Sequence, residues 1–136
     1  MNPTKLLFVT LAAAGSFALA ASADTATLPP ASDKTGLTYA TDIKPIFDAN
    51  CVKCHSGEKP KAHLHMDTLD GILKGNKHGP VVTPGDGANS ILVKAVAHLL
   101  PDKDGWMPPI PNKAGAKTLT PDEIGLVIAW INQGAK

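Results

Sequence analysis

Residues Cys51-Val52-Lys53-Cys54-His55 decide the reading of this chain. Two thiols three positions apart project to the same side of a helical turn, so both can reach one planar partner. Thioether bonds to the two vinyl groups of a haem would use both cysteines. The next residue, His55, then presents a ring nitrogen to the iron from one face. In an exported protein this spacing is the attachment signature of haem c. Three other chemistries use paired cysteines. A thioredoxin-like redox pair opens a helix after a strand within an alternating α/β pattern, whereas here a helix precedes the motif and no alternating strands follow. A structural zinc site needs four ligands. Cys51, Cys54 and His55 leave one to find among His63, His65, His78 and His98, with no second paired motif at finger spacing. A disulfide across two intervening residues is geometrically poor.

Export is read from residues 1–23. Lys5 and the amino terminus give a short positive region, and an apolar stretch runs from Leu6 to Ala20. Ala21-Ser22-Ala23 then offers small residues to a signal peptidase, with cleavage after Ala20 as the alternative. The competing reading is an uncleaved anchor, for which this Ala-rich stretch is borderline in length. A cleaved leader together with haem attachment predicts a periplasmic protein with no stable membrane association.

The 136 residues suit one small domain. Losing Lys5 with the leader brings the 13 basic residues, none of them Arg, level with the 12 acidic ones. That balance argues against nucleic acid as a partner, where clustered Lys and Arg supply the affinity. It also argues against recruitment to anionic lipid. After the leader the only aromatics are Tyr39, Phe47, Trp106 and Trp130. A core so poor in large side chains is helped by a large apolar cofactor.

Residues 24–37 show no apolar period and read as a flexible linker, leaving 38–136 as the domain. Ile43, Ile46 and Phe47 share one helical face, with Thr41 or Asp42 as cap and Pro45 in the first turn. Asp67 reads as the cap of a short helix whose inner face is Leu69, Ile72 and Leu73 and whose stop is Gly75. A third helix opens at Asn89 or Ser90 and runs to Pro101. Residues 101–117 are irregular and rich in Pro and Gly, a length that points to function. The last helix is the best marked: Thr120 with Glu123 makes a capping box, Pro121 takes the first position, and Leu119 with Ile124 forms a staple. Its buried stripe is Ile124, Val127, Ile128 and Ile131, with Trp130 alongside and Gly134 at the end. Beyond an extended piece at 64–66 no strand is expected, so the domain reads as all-α with long loops.

Two methionines of the domain compete for the sixth iron position. Met66 lies in Leu64-His65-Met66-Asp67 and alternates with Leu64 like a packing residue. Met107 lies in Gly105-Trp106-Met107-Pro108-Pro109, where the prolines restrict the backbone and lower the ordering cost of a thioether–iron bond. His65 and His78 are the rivals, since both lie in irregular segments. Candidate wall residues are Phe47, Leu69, Leu73, Val96 and Trp106, and the Trp106 N–H is a candidate donor to a haem propionate. Lys53, Lys59 and Lys61 flank the motif, either as a rim for docking or as a solvated loop.

With these residues in place the sequence resembles class I cytochromes c, and most of all the planctomycete-type cytochrome c domain. The landmarks occur in order. Ile43-x-Pro45-Ile46 precedes Cys51-x-x-Cys54-His55, followed by Leu64-x-Met66-Asp67-Thr68, Gly71-Ile72-Leu73-Lys74-Gly75 and Pro84-Gly85-Asp86 with Ser90-Ile91-Leu92. Met107-Pro108-Pro109 and Leu119-Thr120 then lead to Trp130-Ile131-x-x-Gly134-Ala135. One departure is Ser56 between His55 and Gly57, where the family often has Gly directly after His. The resemblance implies a small class I cytochrome c-like fold of four to five helices around one covalent haem c. It implies His55 as proximal and Met107 as distal iron ligand, and first and last helices crossing near Phe47 and Trp130. The expected function is one-electron transfer between redox proteins, without enzymatic activity. The alternative is an open or displaceable sixth position serving gas binding or peroxide-type catalysis.

Overall fold

The computed structural model describes residues 27–136. The expected leader, and the first residues of the expected linker, lie outside them. Among the described residues the fold is all-α. Four α-helices and three tighter or wider turns are joined by long loops, with no strand beyond an isolated bridge between Asn76 and Gly79. That is the architecture of a small class I cytochrome c-like domain.

A π-helical turn at Tyr39–Ile43 runs straight into α1 (Lys44–Asn50). Its cap is Thr38 rather than Thr41 or Asp42. The Thr38 hydroxyl accepts from the Thr41 N–H at 3.3 Å, and the Asp42 carboxylate accepts from the Thr38 N–H at 3.0 Å. The earlier start follows from Tyr39, which is buried and donates its phenol to the Met66 carbonyl at 3.0 Å. Ile43 and Phe47 are fully buried, as their spacing predicts.

In α2 (Leu69–Lys74) the cap is Thr68 instead of Asp67, its hydroxyl accepting from the Gly71 N–H at 3.1 Å. Ile72 is buried, whereas Leu73 turns to solvent. Gly75 ends the helix at φ 84°, where any Cβ would run into the Gly79 carbonyl.

Helix α3 (Ile91–Val96) stops well short of Pro101. The Ala95 carbonyl, which a continuing helix would pair with Leu99, accepts instead from the N–H groups of His98 at 3.2 Å and Met107 at 3.0 Å. His98 takes φ 57°, and the chain leaves the helix there. Tertiary hydrogen bonding thus overrides an apolar pattern that runs on through Leu99 and Leu100.

Helix α4 (Pro121–Asn132) follows its sequence markers: the reciprocal Thr120–Glu123 box is formed, and Leu119 and Ile124 are both buried. Trp130, fully buried, receives Phe47 edge-on at a centroid distance of 6.5 Å and Tyr39 at 6.2 Å. This is where the first and last helical segments meet.

The described part of the expected linker is not free. Residues 28–37 form a strap across α4. The Ser32 N–H donates to the Gly125 carbonyl at 2.9 Å, and Gln133 takes the Leu37 N–H at 3.1 Å while donating to the Lys34 carbonyl at 2.8 Å. Pro29 and Pro30 hold the strap extended, and Leu37 is buried. Composition hid this, because the attachment uses backbone atoms and two isolated leucines rather than a periodic face.

Candidate functional site

Helix α1 delivers the motif. The Cys51 and Val52 N–H groups both donate to the Phe47 carbonyl, at 2.7 and 3.0 Å, so the last turn widens as the helix ends. The Cys51 carbonyl then accepts from Cys54 and His55, each at 3.1 Å, closing a helical turn around the motif. The Ser56 hydroxyl donates back to the Val52 carbonyl at 2.7 Å. Both cysteine side chains face the same cavity, and no disulfide joins them. Before attachment, burial pushes the Cys51 thiol up to about 12, so it is protonated at neutral pH.

His55 is buried, and its Nδ1 lies 3.1 Å from the Lys61 carbonyl. Since a carbonyl only accepts, Nδ1 carries the proton and Nε2 keeps its lone pair. A metal-ligating histidine is oriented in this way. Burial moves the imidazole below its ordinary value, against opposing hydrogen bonds to the Lys61 and Leu64 carbonyls, so the ring is neutral and able to coordinate. Lys61 opens a 3₁₀ turn (Lys61–His63) in which Ala62 and His63 both adopt positive φ, 54° and 58°. Two such residues in succession are costly for side chains with a Cβ. They let the Lys61 carbonyl turn back toward the His55 ring.

The thiols and His55 open onto a cavity of about 810 Å³. Its apolar wall comprises Leu64, Met66, Val81, Leu92, Val96 and Leu119, and Met107 and Pro108 also line it. Volume and lining suit a large planar apolar group held by two thiols and one neutral imidazole. The residues therefore fit a haem. Among the described residues no three His, Cys, Asp or Glu side chains converge as a metal-ion site, so a structural zinc finds no ligand set.

The sequence-derived site residues fall into two groups. Cys51, Cys54, His55 and Met107 line one cavity, together with Val96. Phe47 instead fills the contact with Trp130, because its position on α1 faces α4. Trp106 stacks on His98 outside the cavity and donates its indole N–H to the Leu100 carbonyl at 2.9 Å. Its donor is therefore already used and is not aimed at a propionate. Leu69 and Leu73 do not reach the lining, and of the rival histidines His78 reaches it while His65 lies beside Asp67, its Nδ1 3.7 Å from the carboxylate. Lys61 lines the cavity mouth, and Lys53 donates to the Ala114 carbonyl at 2.8 Å, tying the motif to the loop before α4. Leu64, Val81, Leu92 and Leu119 are wall residues that periodicity did not single out. They come from four separate segments, and only their burial in one fold unites them.

Residues 51–110 match the family model described as Planctomycete cytochrome C, a segment running from Cys51 past Met107. Over these residues the chain is similar to a planctomycete-type cytochrome c domain. It carries a single haem c, attached covalently through Cys51-x-x-Cys54-His55. No curated protein matches the chain. Among solved structures, Kuenenia stuttgartiensis hydrazine synthase is similar at 24% identity with a TM-score of 0.49 over 73% of this chain. The chain spans 16% of that protein's length. Within the cytochrome c domain no described helix is long and apolar enough to cross a membrane.

Proposed function

We propose that this cytochrome c domain is a periplasmic one-electron carrier whose haem iron is held by His55 on one face and Met107 on the other. The observation that carries the reading is the shared cavity: Met107 lines it together with Cys51, Cys54 and a His55 whose Nε2 is free. Haem supplies the redox-active iron, and thioether ligation in an apolar surround favours the ferrous state. The chain's part is to hold both ligands still. His55 is fixed by the Lys61 carbonyl. The Met107 backbone is fixed at its N–H by Ala95 and at its carbonyl by His98. Ligands held in this way exchange an electron with little rearrangement.

Met66 is the other methionine at the cavity. Its N–H donates to the His55 carbonyl at 2.7 Å, which anchors it to the segment carrying the proximal ligand and supports Met107 for the opposite face. Redox proteins are the partners of such a carrier, and the export leader read in the sequence supports the periplasm. The proposed role is electron transfer, without an enzymatic activity.

The test is the visible to near-infrared spectrum of the oxidised, haem-loaded protein. A sulfur-to-iron charge-transfer band lost in Met107→Ala and kept in Met66→Ala supports the assignment. A low-spin spectrum without that band moves it to a second histidine, with His78 the first to replace. A high-spin spectrum with rapid carbon monoxide binding favours the alternative of an open sixth position.

A further inference from the structure

Met107 does not sit in a loop held only by its prolines. Its backbone is docked on the frayed end of α3 at two points. The Met107 N–H donates to the Ala95 carbonyl at 3.0 Å, and the His98 Nε2 lies 3.1 Å from the Met107 carbonyl. That carbonyl only accepts, so Nε2 donates, in the neutral Nε2–H tautomer as in the cation. His98 holds this place because its own backbone is turned out of the helix at φ 57°, with its N–H on the same Ala95 carbonyl at 3.2 Å. Histidine adopts this conformation more readily than most residues.

The imidazole is in turn fixed by the residue before Met107. The His98 and Trp106 rings stack at a centroid separation of 4.9 Å and an interplanar angle of 6°. The Trp106 indole is locked by its bond to the Leu100 carbonyl, and the Lys103 ammonium lies over the ring, 5.4 Å from its centroid. His98 is absent from the cavity lining and meets Met107 at its backbone carbonyl.

From this geometry we infer that His98 is a positioning residue for the distal ligand: its Nε2–H bond to the Met107 carbonyl, braced by the Trp106 stack, keeps the Met107 thioether on the iron. The inference rests on Met107 being that ligand. Losing the bond frees one of two backbone anchors, so the thioether leaves the iron more often. A hydrogen bond of ordinary strength corresponds to a rise on the order of fivefold in the dissociated fraction.

The experiment uses the haem-loaded protein and three replacements. His98→Leu keeps bulk against Trp106 and removes the donor. His98→Asn keeps the left-handed backbone with a side chain too short to reach the carbonyl, and it serves if the leucine variant fails to fold. His98→Gln restores an N–H at similar reach. The readouts are the charge-transfer band of the oxidised protein and the rate at which carbon monoxide enters the ferrous protein, which requires the thioether to leave. Faster entry and a weakened band in Leu and Asn, both restored in Gln, are expected. A general loss of packing would not return with a single donor. Carbon monoxide entry and band intensity unchanged in Leu or Asn, while Met107→Ala abolishes the band, would overturn the role of His98 and leave the ligation standing. A wild-type band that survives Met107→Ala would overturn both.

Discussion

The N–H of Met66 donates to the carbonyl of His55 across 2.7 Å, and the Met66 carbonyl in turn accepts the Tyr39 phenol at 3.0 Å. The segment after the motif histidine is thus bonded on one side to the motif and on the other to the start of the first helix. Tyr39 also packs against Trp130, so the floor beneath His55 is continuous with the helix crossing. Replacing Tyr39 by Phe keeps the ring and leaves a buried carbonyl unpaired. A loss of about 1–3 kcal/mol in stability is expected, read by chemical denaturation of the haem-loaded protein, with little change in its visible spectrum.

The crossing itself is set by Phe47 and Trp130. Both are fully buried and meet edge-on. Phe47→Ala opens a hole that two helices cannot close, and about 3–5 kcal/mol should be lost. Thermal melting would register this as a lower midpoint, whereas Ile110→Ala, at an exposed site of the long loop, should leave the midpoint where it is.

Gly125 sits inside α4, where alanine would ordinarily add about 1 kcal/mol of helix stability. Here a Cβ would come within 2.6 Å of the Pro30 carbonyl, which is backbone and cannot swing aside. Gly125→Ala should therefore lift the strap. Hydrogen exchange at the Ser32 amide reports it directly: protection in the wild type, fast exchange in the variant. A protected Ser32 amide in Gly125→Ala would show that the strap accommodates the methyl group.

The chain made without haem should not hold its native packing. Even part of ~24 cal/mol per Å³ over about 810 Å³ rivals the ~5–15 kcal/mol that keeps a domain folded. Circular dichroism of haem-free protein should show a broad, weakly cooperative melt, and the mature protein a sharp one. A sharp melt without haem would mean that the walls collapse onto one another.

Much of this was legible in the residues because it is local. The attachment motif needs one helical turn, and the Thr120–Glu123 box needs only the first turn of α4. Features that depend on distant partners were misplaced. The cap of the first helix lies at Thr38 because Tyr39 is pulled into a core built largely from α4. Helix α3 ends early because Met107, far along the chain, takes the Ala95 carbonyl. Phe47 and Trp106 carry the right chemistry for a haem wall, yet each ring is engaged elsewhere, Phe47 by Trp130 and Trp106 by His98. No periodicity reveals which of two apolar surroundings an aromatic ring will choose.

The strap and the last helix have a consequence for the order of events during biogenesis. Leu37 and Lys34 find their partner in Gln133, Tyr39 finds the Lys136 carbonyl, and Phe47 finds Trp130. Each of these contacts joins an early residue to one near the far end of the sequence, and such closures come late because they enclose the longest loops. Cys51 and Cys54 precede α4 by most of the domain. While the chain is being made, its thiols are therefore presented on an open polypeptide, and the helix that seals the core arrives only afterwards.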